Sequence, residues 1–465
     1  MARENSGYPR RKPDADDGKI VNWARNATLA DSSAVSAPKT EEELCRLVAA
    51  SRGKIRVMGS RMSPGRMLKV VAEGDTLLDL SQLRGLIAMD EQSATFAGST
   101  PMHEIYEILT AAGKMLPSSP GVIAAQTLAG ALATGTHGQG LQQSTIADEA
   151  LSIRMVLADG SVADFDRSHP DFHAVQLGMG VLGVVTRVTL RTCAAKIYTC
   201  HKNAVSGDTL EQDIYDWNQN FVLSKAWWFP NENQVHVWTA REANGEEIAQ
   251  YRANNSDLVK QEETSDAMNE TVEQTLEHMR SDTKIVDENG KPFRTVTRFK
   301  DFSDVTGDVY QVFCRGIATP QINVEIGIPL ARAGEIIRQI KGWHSETQPH
   351  MHYPIILRCT GASEAWLSPA YQQDTCYFGF VVYYADDGSL SQDGLHFLTE
   401  VEKILATYGG RPHWGKYYDP QHYDWPTLYP KWQDFSAVKQ QLDPQQRFSN
   451  PYIQQLFPSS IGDHA

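Results

Sequence analysis

The chain has little cysteine for its length, six in 465 residues (Cys45, Cys193, Cys200, Cys314, Cys359 and Cys376), with no CxxC pair and no metal-ligand spacing. A disulfide framework or a zinc ribbon is thereby excluded as the organising principle; the thiols read as reduced and structural, in a cytoplasmic setting, with no metal. A long basic run is missing too. Lys and Arg number 43 against 57 Asp and Glu, a formal net charge of −14, which makes nucleic acid and anionic membrane surfaces poor partners. The opening MARENSGYPRRKPDADDG carries no apolar h-region, and no later run reaches the length of a membrane span. Residues 1–19 read as a disordered polar arm ahead of a soluble body long enough for two or three domains. The turn GSRMSP at 59–64 has neither the GxGxxG spacing of a Rossmann turn nor the GK[ST] of a P-loop. A dinucleotide bound here must sit on another fold.

What the chain does have is a run of small residues at 115–148, MLPSSPGVIAAQTLAGALATGTHGQGLQQSTIAD. Gly121, Gly130, Gly135, Gly138 and Gly140 dilute its apolar residues, so neither helical nor strand periodicity emerges. Backbone this bare can approach a flat, anionic, phosphate-bearing ligand; a glycine-rich surface loop is the competing reading. Upstream, Thr40 and Glu43 form a capping box for a helix over 41–51, and a strand over 55–58 follows. That strand runs into Gly59-Ser60-Arg61-Met62-Ser63-Pro64, a turn whose N–H groups and Arg61 could face a pyrophosphate. A helix at 103–112 leads into the small-residue run. Beyond it come a hairpin of strands 151–157 and 162–165 about Asp159-Gly160, a short helix at 170–177 and a strand at 181–190. This irregular order argues an α+β fold and not a doubly wound sheet.

Taken in order, NWARN (22–26), GSRMS (59–63), LPSSPG, QTLAG, TGTHGQG, LADGS and LGVVTRVTL resemble the FAD domain of the vanillyl-alcohol-oxidase superfamily. Within it the resemblance is greatest to the sugar-1,4-lactone (gulonolactone/arabinonolactone) and alditol oxidases. RPHWGK (411–416), LYPKWQDF (428–435) and LDPQQRFSNPY (442–452) are similar to that family's C-terminal segment. VEIGIP, ahead of a helix with Arg332, and WLSPAY (366–371) resemble its middle. The resemblance implies FAD as cofactor and a division into a two-subdomain FAD-binding domain of the PCMH type (20–195), an antiparallel-sheet substrate cap (196–408) and a C-terminal segment (409–465) completing the flavin site. In the cap, strands are expected at 225–229, 235–239 and 324–328, an exposed acidic helix at 262–279 and a helix at 331–343. Trp227 and Trp228, adjacent on a strand, point to opposite sides, so at least one belongs to the core.

Cofactor contacts are implied at Gly59, Ser60, Arg61, Met62 and Ser63 for the diphosphate. Further contacts are implied at Ser118, Ser119, Gly121, Thr127, Gly130, Thr134, Gly135, Thr136, His137 and Gly138, with the isoalloxazine against 134–140, and at Gly183 and Val184. Oxidising an alcohol with a flavin moves a hydride to N5 and leaves negative charge at N1 and the C2 carbonyl, where a positive side chain is stabilising. The family supplies that charge from the lysine of HWGK and a cap arginine; Lys416 and Arg358 stand at the matching positions. His413 has two open roles, orienting substrate or flavin, or serving as a satisfied structural histidine.

The departures from the family are informative. Met62 stands where these oxidases often carry the histidine that bonds covalently to the flavin, so FAD is expected to be held without a covalent bond. Ile356 replaces the glutamate two residues before the arginine, and Gly379 replaces a polyol-contacting histidine. Both would face the substrate pocket, and losing two polar contacts implies a substrate larger or more apolar on that side. The expected activity is FAD-dependent oxidation of a CH–OH group in an alcohol or lactone, with oxygen or another acceptor taking the electrons. Two alternatives stand beside it: a dehydrogenase or oxidase of a bulky secondary metabolite, and a flavoprotein in which FAD is structural or non-redox.

Overall fold

The computed structural model describes residues 18–458 except 25, 71, 120, 122, 264–302, 315–320, 350, 352 and 384–391. The proposed N-terminal arm and most of the proposed acidic helix at 262–279 lie outside the described residues. The first residues of that helix belong instead to a strand, Val259–Glu263.

Alternation decides the sheets. In Val184–Arg191 every second side chain is buried. This strand centres a five-stranded antiparallel sheet in the order Val162–Asp166, Ala150–Val156, Val184–Arg191, Ser93–Ala97, Leu86–Met89. The expected hairpin supplies its first two strands, and Gly160 turns it at φ 85°. A parallel three-stranded sheet, Val35–Ser36, Thr76–Asp79, Ile55–Met58, shares a core with it: helix Glu41–Ala50 sets Leu44 and Val48 against Ile55, Leu78, Val156 and Val184. Only half of the expected capping box forms. Thr40 accepts from Glu43 N, whereas the Glu43 carboxylate turns to Lys39 N at 2.7 Å.

The larger half is a nine-stranded antiparallel sheet in the order Val259–Glu263, Ser303–Asp308, Ile197–Ser206, Gln234–Glu242, Leu223–Phe229, Ile355–Thr360, Thr375–Tyr383, Gln321–Pro329, Arg411–Pro412. Helices Leu210–Asn220, Ala333–Thr347 and Gln392–Thr407 cover one face. There Trp228, Val324, Ile326, Leu357 and Phe378 form one apolar cluster. Period-2 alternation therefore sends Glu325, Ile356, Arg358, Tyr377 and Gly379 to the other face. Trp227 and Trp228 divide as expected, Trp228 into this helix-covered core and Trp227 against a second cluster with Trp238 and Phe313. Sheets of both senses with helices set apart from them make the fold α+β.

The chain's last described segment ties the halves together. The fully buried Arg56 donates to the carbonyls of Met67, Met179, Gly180 and Phe448 at 2.6–3.1 Å. Asn450 Nδ2 donates to the carbonyls of Arg66, Met67 and Lys69. Strand 411–412 adds to the edge of the large sheet through Gln321–Pro329. Among the described residues no helix is long and apolar enough to cross a membrane.

Candidate active site

The small-residue run contains more regular structure than its composition predicts. Leu128–Thr134 is a helix, because Thr127 caps its N-terminus by accepting from Gly130 N and Gly135, at φ 72°, ends it in the left-handed conformation. Leu128, Ala131 and Leu132 are buried, and Ala129, Gly130, Ala133 and Thr134 line a cleft. Across that cleft stands the turn after strand Ile55–Met58. The cleft wall holds Gly59, Ser60, Arg61, Met62 and Ser63, then Thr127, Gly130 and Thr134, and on the third side Gly183. Nine of the proposed cofactor residues thus meet around one cavity. Its wall is nearly all backbone and small or apolar side chains, with Arg56 and Arg61 as its charged members.

NWARN now has a physical meaning: Trp23 N donates to Arg61 O at 2.8 Å, Asn22 Nδ2 to Ser63 O at 3.1 Å and Asn26 Nδ2 to Pro64 O at 2.8 Å. Those contacts hold the turn with Arg61 at φ 57°. Arg61 itself donates to Val21 O at 3.1 Å, so its guanidinium serves the turn's own structure. A Cβ on Gly59 would collide with the Thr127 side chain, which makes glycine a requirement where turn and helix approach. A cavity walled by main chain and small or apolar side chains fits a flat, phosphate-bearing ligand that backbone can approach closely.

The remaining proposed cofactor residues lie elsewhere. Ser118 donates to Glu149, and Ser119 to Gln143. Thr136 donates to Gln126 at 2.7 Å. Gly138 packs on Ser119, and Val184 belongs to the apolar core under helix Glu41–Ala50. Gly121 abuts the Arg358 guanidinium so closely that any Cβ there would overlap it. His137 stacks on Tyr377, centroids 3.5 Å apart and planes at 15°.

His137, Arg358, His413 and Lys416, all singled out from the sequence, converge on a residue that was not, Glu325. Its carboxylate pairs with the Arg358 guanidinium, lies 3.6 Å from His137 Nε2 and 4.0 Å from Lys416 Nζ. The backbone locks the same point, since His413 N donates to Glu325 O and Lys416 N to His413 O, both at 2.9 Å. Glu325 is 4 % exposed. Burial pushes its carboxyl upward, but Arg358, His137 and Lys416 outweigh burial and hold it well below the usual range. Burial lowers His413 well below an ordinary imidazole and also lowers His137 and Lys416.

Gly415 N donates to His413 Nδ1 at 3.0 Å, which leaves the ring proton of a neutral imidazole on Nε2; His137 sits between two acceptors, Gly138 O at 3.1 Å from Nδ1 and the Glu325 carboxylate at 3.6 Å from Nε2. His137, Glu325 and His413 offer three ligand atoms within 4.8 Å of one another. A divalent ion there would face Arg358 and Lys416, which already balance the carboxylate. One signal could have found Glu325: it is the single charged residue in the strand QINVEIGIP, flanked by Val324 and Ile326. The same strand shows that the wall expected to lack an acceptor, with Ile356 in place of glutamate, does hold a carboxylate.

The D-arabinono-1,4-lactone oxidase family matches residues 188–456, which include every residue of the charged cluster but His137, and the FAD binding domain family matches residues 32–166. An L-gulono-1,4-lactone dehydrogenase of Mycobacterium tuberculosis is 25% identical over 457 residues, covering 94% of this chain and 98% of that one. An L-gulonolactone oxidase of Mus musculus is 23% identical over 461 residues, with the same coverage. Among solved structures, cholesterol oxidase from B. sterolicum superposes with a TM-score of 0.72 at 14% identity, covering 97% of this chain and 99% of that one. A solvent-stable cholesterol oxidase gives 0.71 at 16%, covering 94% and 97%. These two likenesses share the fold. With the FAD binding domain on the cleft side and more than half of the chain matched on the side that carries the cations, this protein is an FAD-dependent oxidoreductase and belongs to the D-arabinono-1,4-lactone oxidase family.

Proposed function

We propose that the chain oxidises a CH–OH carbon of a sugar-like lactone or a bulkier alcohol, with oxygen or another acceptor taking the electrons, in the cytoplasm. Bound FAD supplies the hydride acceptor. The turn at 59–63 holds its diphosphate, and residues 20–195, 196–408 and 409–465 act as cofactor domain, cap and returning segment. The observation that carries the reading is a pair of cations, the buried Arg358 and the half-buried Lys416, set on one carboxylate beyond the cleft. Their excess positive charge is placed to stabilise the anionic ring of a reduced flavin, which a structural cofactor would not require. His137 and His413, neutral by burial, add hydrogen-bonding groups without cancelling that charge. The relatives named for gulonolactone and arabinonolactone make polyhydroxylated lactones the first substrates to try. Anaerobic mixing with such lactones, alditols and larger alcohols tests the reading: bleaching of the flavin band is expected, and its rate of return in air separates an oxidase from a dehydrogenase. Flavin that no alcohol or lactone bleaches would overturn it.

A further inference from the structure

We infer that Asp148 is a positioning residue, the carboxylate that sets the loop carrying His137 against the strand carrying Arg358. The inference rests on the reading that these two side chains face the flavin. It starts from a surplus of hydrogen bonds. Asp148 caps the short helix Ile146–Glu149, and for that its Oδ2 suffices, accepting from Thr145 N at 3.1 Å, Thr145 Oγ1 at 2.6 Å and Ser144 Oγ at 2.8 Å. The other oxygen is turned elsewhere. Oδ1 accepts from Ser363 Oγ and from Glu364 N, both at 3.0 Å, in the segment that follows strand Ile355–Thr360. One carboxylate thus gathers donors from two stretches of chain that lie 215 residues apart at Ser363.

Each grip ends beside a member of the charged cluster. On the loop side, Thr145 forms an isolated antiparallel bridge with His137, and Ile146 N donates to Thr136 O at 2.8 Å. On the strand side, Thr360 forms a parallel bridge with Gly140; Gly140 N donates to Cys359 O and Gly361 N to Gln143 O, both at 2.7 Å. The ties of 140 to 359, of 143 to 361 and of 148 to 363 advance in the same direction along both segments. They make a zipper, with His137 and Arg358 just ahead of its first tie. The first two ties are single neutral main-chain bonds, whereas the last is a pair of charge-assisted bonds to a carboxylate. Contact between the segments is otherwise bare: a Cβ on Gly361 would lie 2.4 Å from Leu141 O, so main chain meets main chain with no side chain to stop sliding. Asp148 supplies the stop. An amide could not do both jobs, because asparagine has one acceptor oxygen and would keep either the cap or the cross-link. A carboxylate that only capped its helix would affect stability; one that also registers His137 against Arg358 must be felt by the flavin.

The test compares FAD-loaded wild type with Asp148→Asn, with Ser363→Ala, which takes a donor from the cross-link, and with Ser144→Ala, which takes one from the cap. Two quantities are read: the flavin midpoint potential, by anaerobic equilibration with a redox dye and no substrate, and the rate of flavin reduction by L-gulono-1,4-lactone. In Asp148→Asn the reduced-to-oxidised equilibrium of the flavin should fall about tenfold, ~30 mV for a two-electron couple, because a cation displaced from the anionic ring stabilises it less. Reduction by the lactone should slow by about tenfold or more, as misplaced groups in a site do. Ser363→Ala should move both quantities in the same direction by a smaller amount, and Ser144→Ala should leave both at the wild-type value. An unchanged potential and rate in Asp148→Asn with its flavin bound would overturn the inference, and so would equal shifts in Ser363→Ala and Ser144→Ala. If Asp148→Asn loses its flavin, Ser363→Ala decides: a potential equal to wild type overturns the inference and a lowered one supports it. All of these outcomes leave the oxidoreductase reading in place. A wild-type flavin that no lactone or alcohol bleaches would instead remove the reading on which the inference rests.

Discussion

The cleft around Gly59 and the cluster around Glu325, which we propose face the same cofactor, are built from different materials. The cleft is main chain and small or apolar side chains from segments between residues 56 and 185, with its turn pinned by Asn22, Asn26 and Trp23. The cluster is charged side chain, drawn from strands Gln321–Pro329 and Ile355–Thr360, the loop at 137 and the segment at 413–416. Backbone N–H groups bind a diphosphate whatever its redox state, whereas side-chain charges can be set against charge that develops only during reaction. The difference teaches that affinity for FAD and use of FAD are separable here, and substitutions should split them.

The largest effect is expected from Gly59→Val. Its side chain would run into Thr127, and closing the approach between turn and helix should strip the flavin, lowering bound FAD by ~10-fold or more. The absorbance ratio of flavin to protein after purification measures it; full occupancy would show that the cleft is not the diphosphate site. The cleft also decides how FAD is attached. Met62 lines it where a histidyl link would form, and a thioether makes no durable bond to the flavin methyl. After acid precipitation the yellow colour should leave with the supernatant, and colour retained by the washed pellet would break the comparison, because the cleft would then hold FAD by chemistry as well as by backbone.

At the other pole, Lys416→Met should keep FAD bound and slow its reduction by substrate, by about 10²-fold if one preorganised charge is lost. Stopped-flow reduction alongside flavin content gives both numbers. Loss of flavin with unchanged reduction of the remainder would reverse the assignment of roles. The direction of the Lys416 shift adds a pH test. Burial lowers this ammonium from the ordinary lysine range, so reduction should decline with rising pH earlier than a surface lysine would make it.

This division also explains what could be read from the chain. The elements of the cofactor half are local: the helix after Thr40, the hairpin about Asp159-Gly160 and the turn after Met58 each carry their own cap or turn residues, and they formed where expected, within a few residues. Helix Leu128–Thr134 was hidden because Ala and Gly give no amphipathic pattern, and its identity lies in Thr127 and Gly135. In the cap, three strands were visible, at 225–229, 235–239 and 324–328, but Ile197–Ser206, Ile355–Thr360 and Thr375–Tyr383, and the register that joins them, were not. Ile356 and Gly379 looked like losses because Glu325 is more than thirty residues from Arg358 in sequence, and only the pairing of Gln321–Pro329 with Thr375–Tyr383, and of the latter with Ile355–Thr360, brings the two together. Ser118, Ser119 and Thr136 each donate a hydroxyl to a side chain within residues 118–149, to the buried Glu149 and Gln143 and to Gln126 of the cleft wall.

A second glutamate, as buried as Glu325, supplies the control for what the cluster's cations do. Glu402 is 2 % exposed; Asp419 N donates to its Oε1 at 2.8 Å, and His422 Nδ1 lies 3.6 Å from Oε2. No arginine or lysine is paired with it among the described residues. Burial pushes its carboxyl up to about 7, against the opposing pull of the Asp419 amide and Tyr423, while the Asp419 charge adds to the rise. The two glutamates thus move in opposite directions under the same burial, and the cations account for the difference. The sign of the stability effect follows from linkage. A folded pKa raised above the unfolded value near 4.5 means that the folded state holds the extra proton between 4.5 and about 7. The contribution is fully present below the unfolded value and is lost as pH rises through about 7. Glu402→Gln keeps an oxygen for the Asp419 amide and cannot ionise, so it should be the more stable protein at pH 8, by about 1–3 kcal/mol, and equal to wild type near pH 5. Thermal unfolding of the FAD-loaded protein across that range measures the gap. A gap that does not widen with pH would mean that Glu402 ionises as easily folded as unfolded, and that burial alone does not raise a carboxyl here, which would leave the cluster's cations without their contrast.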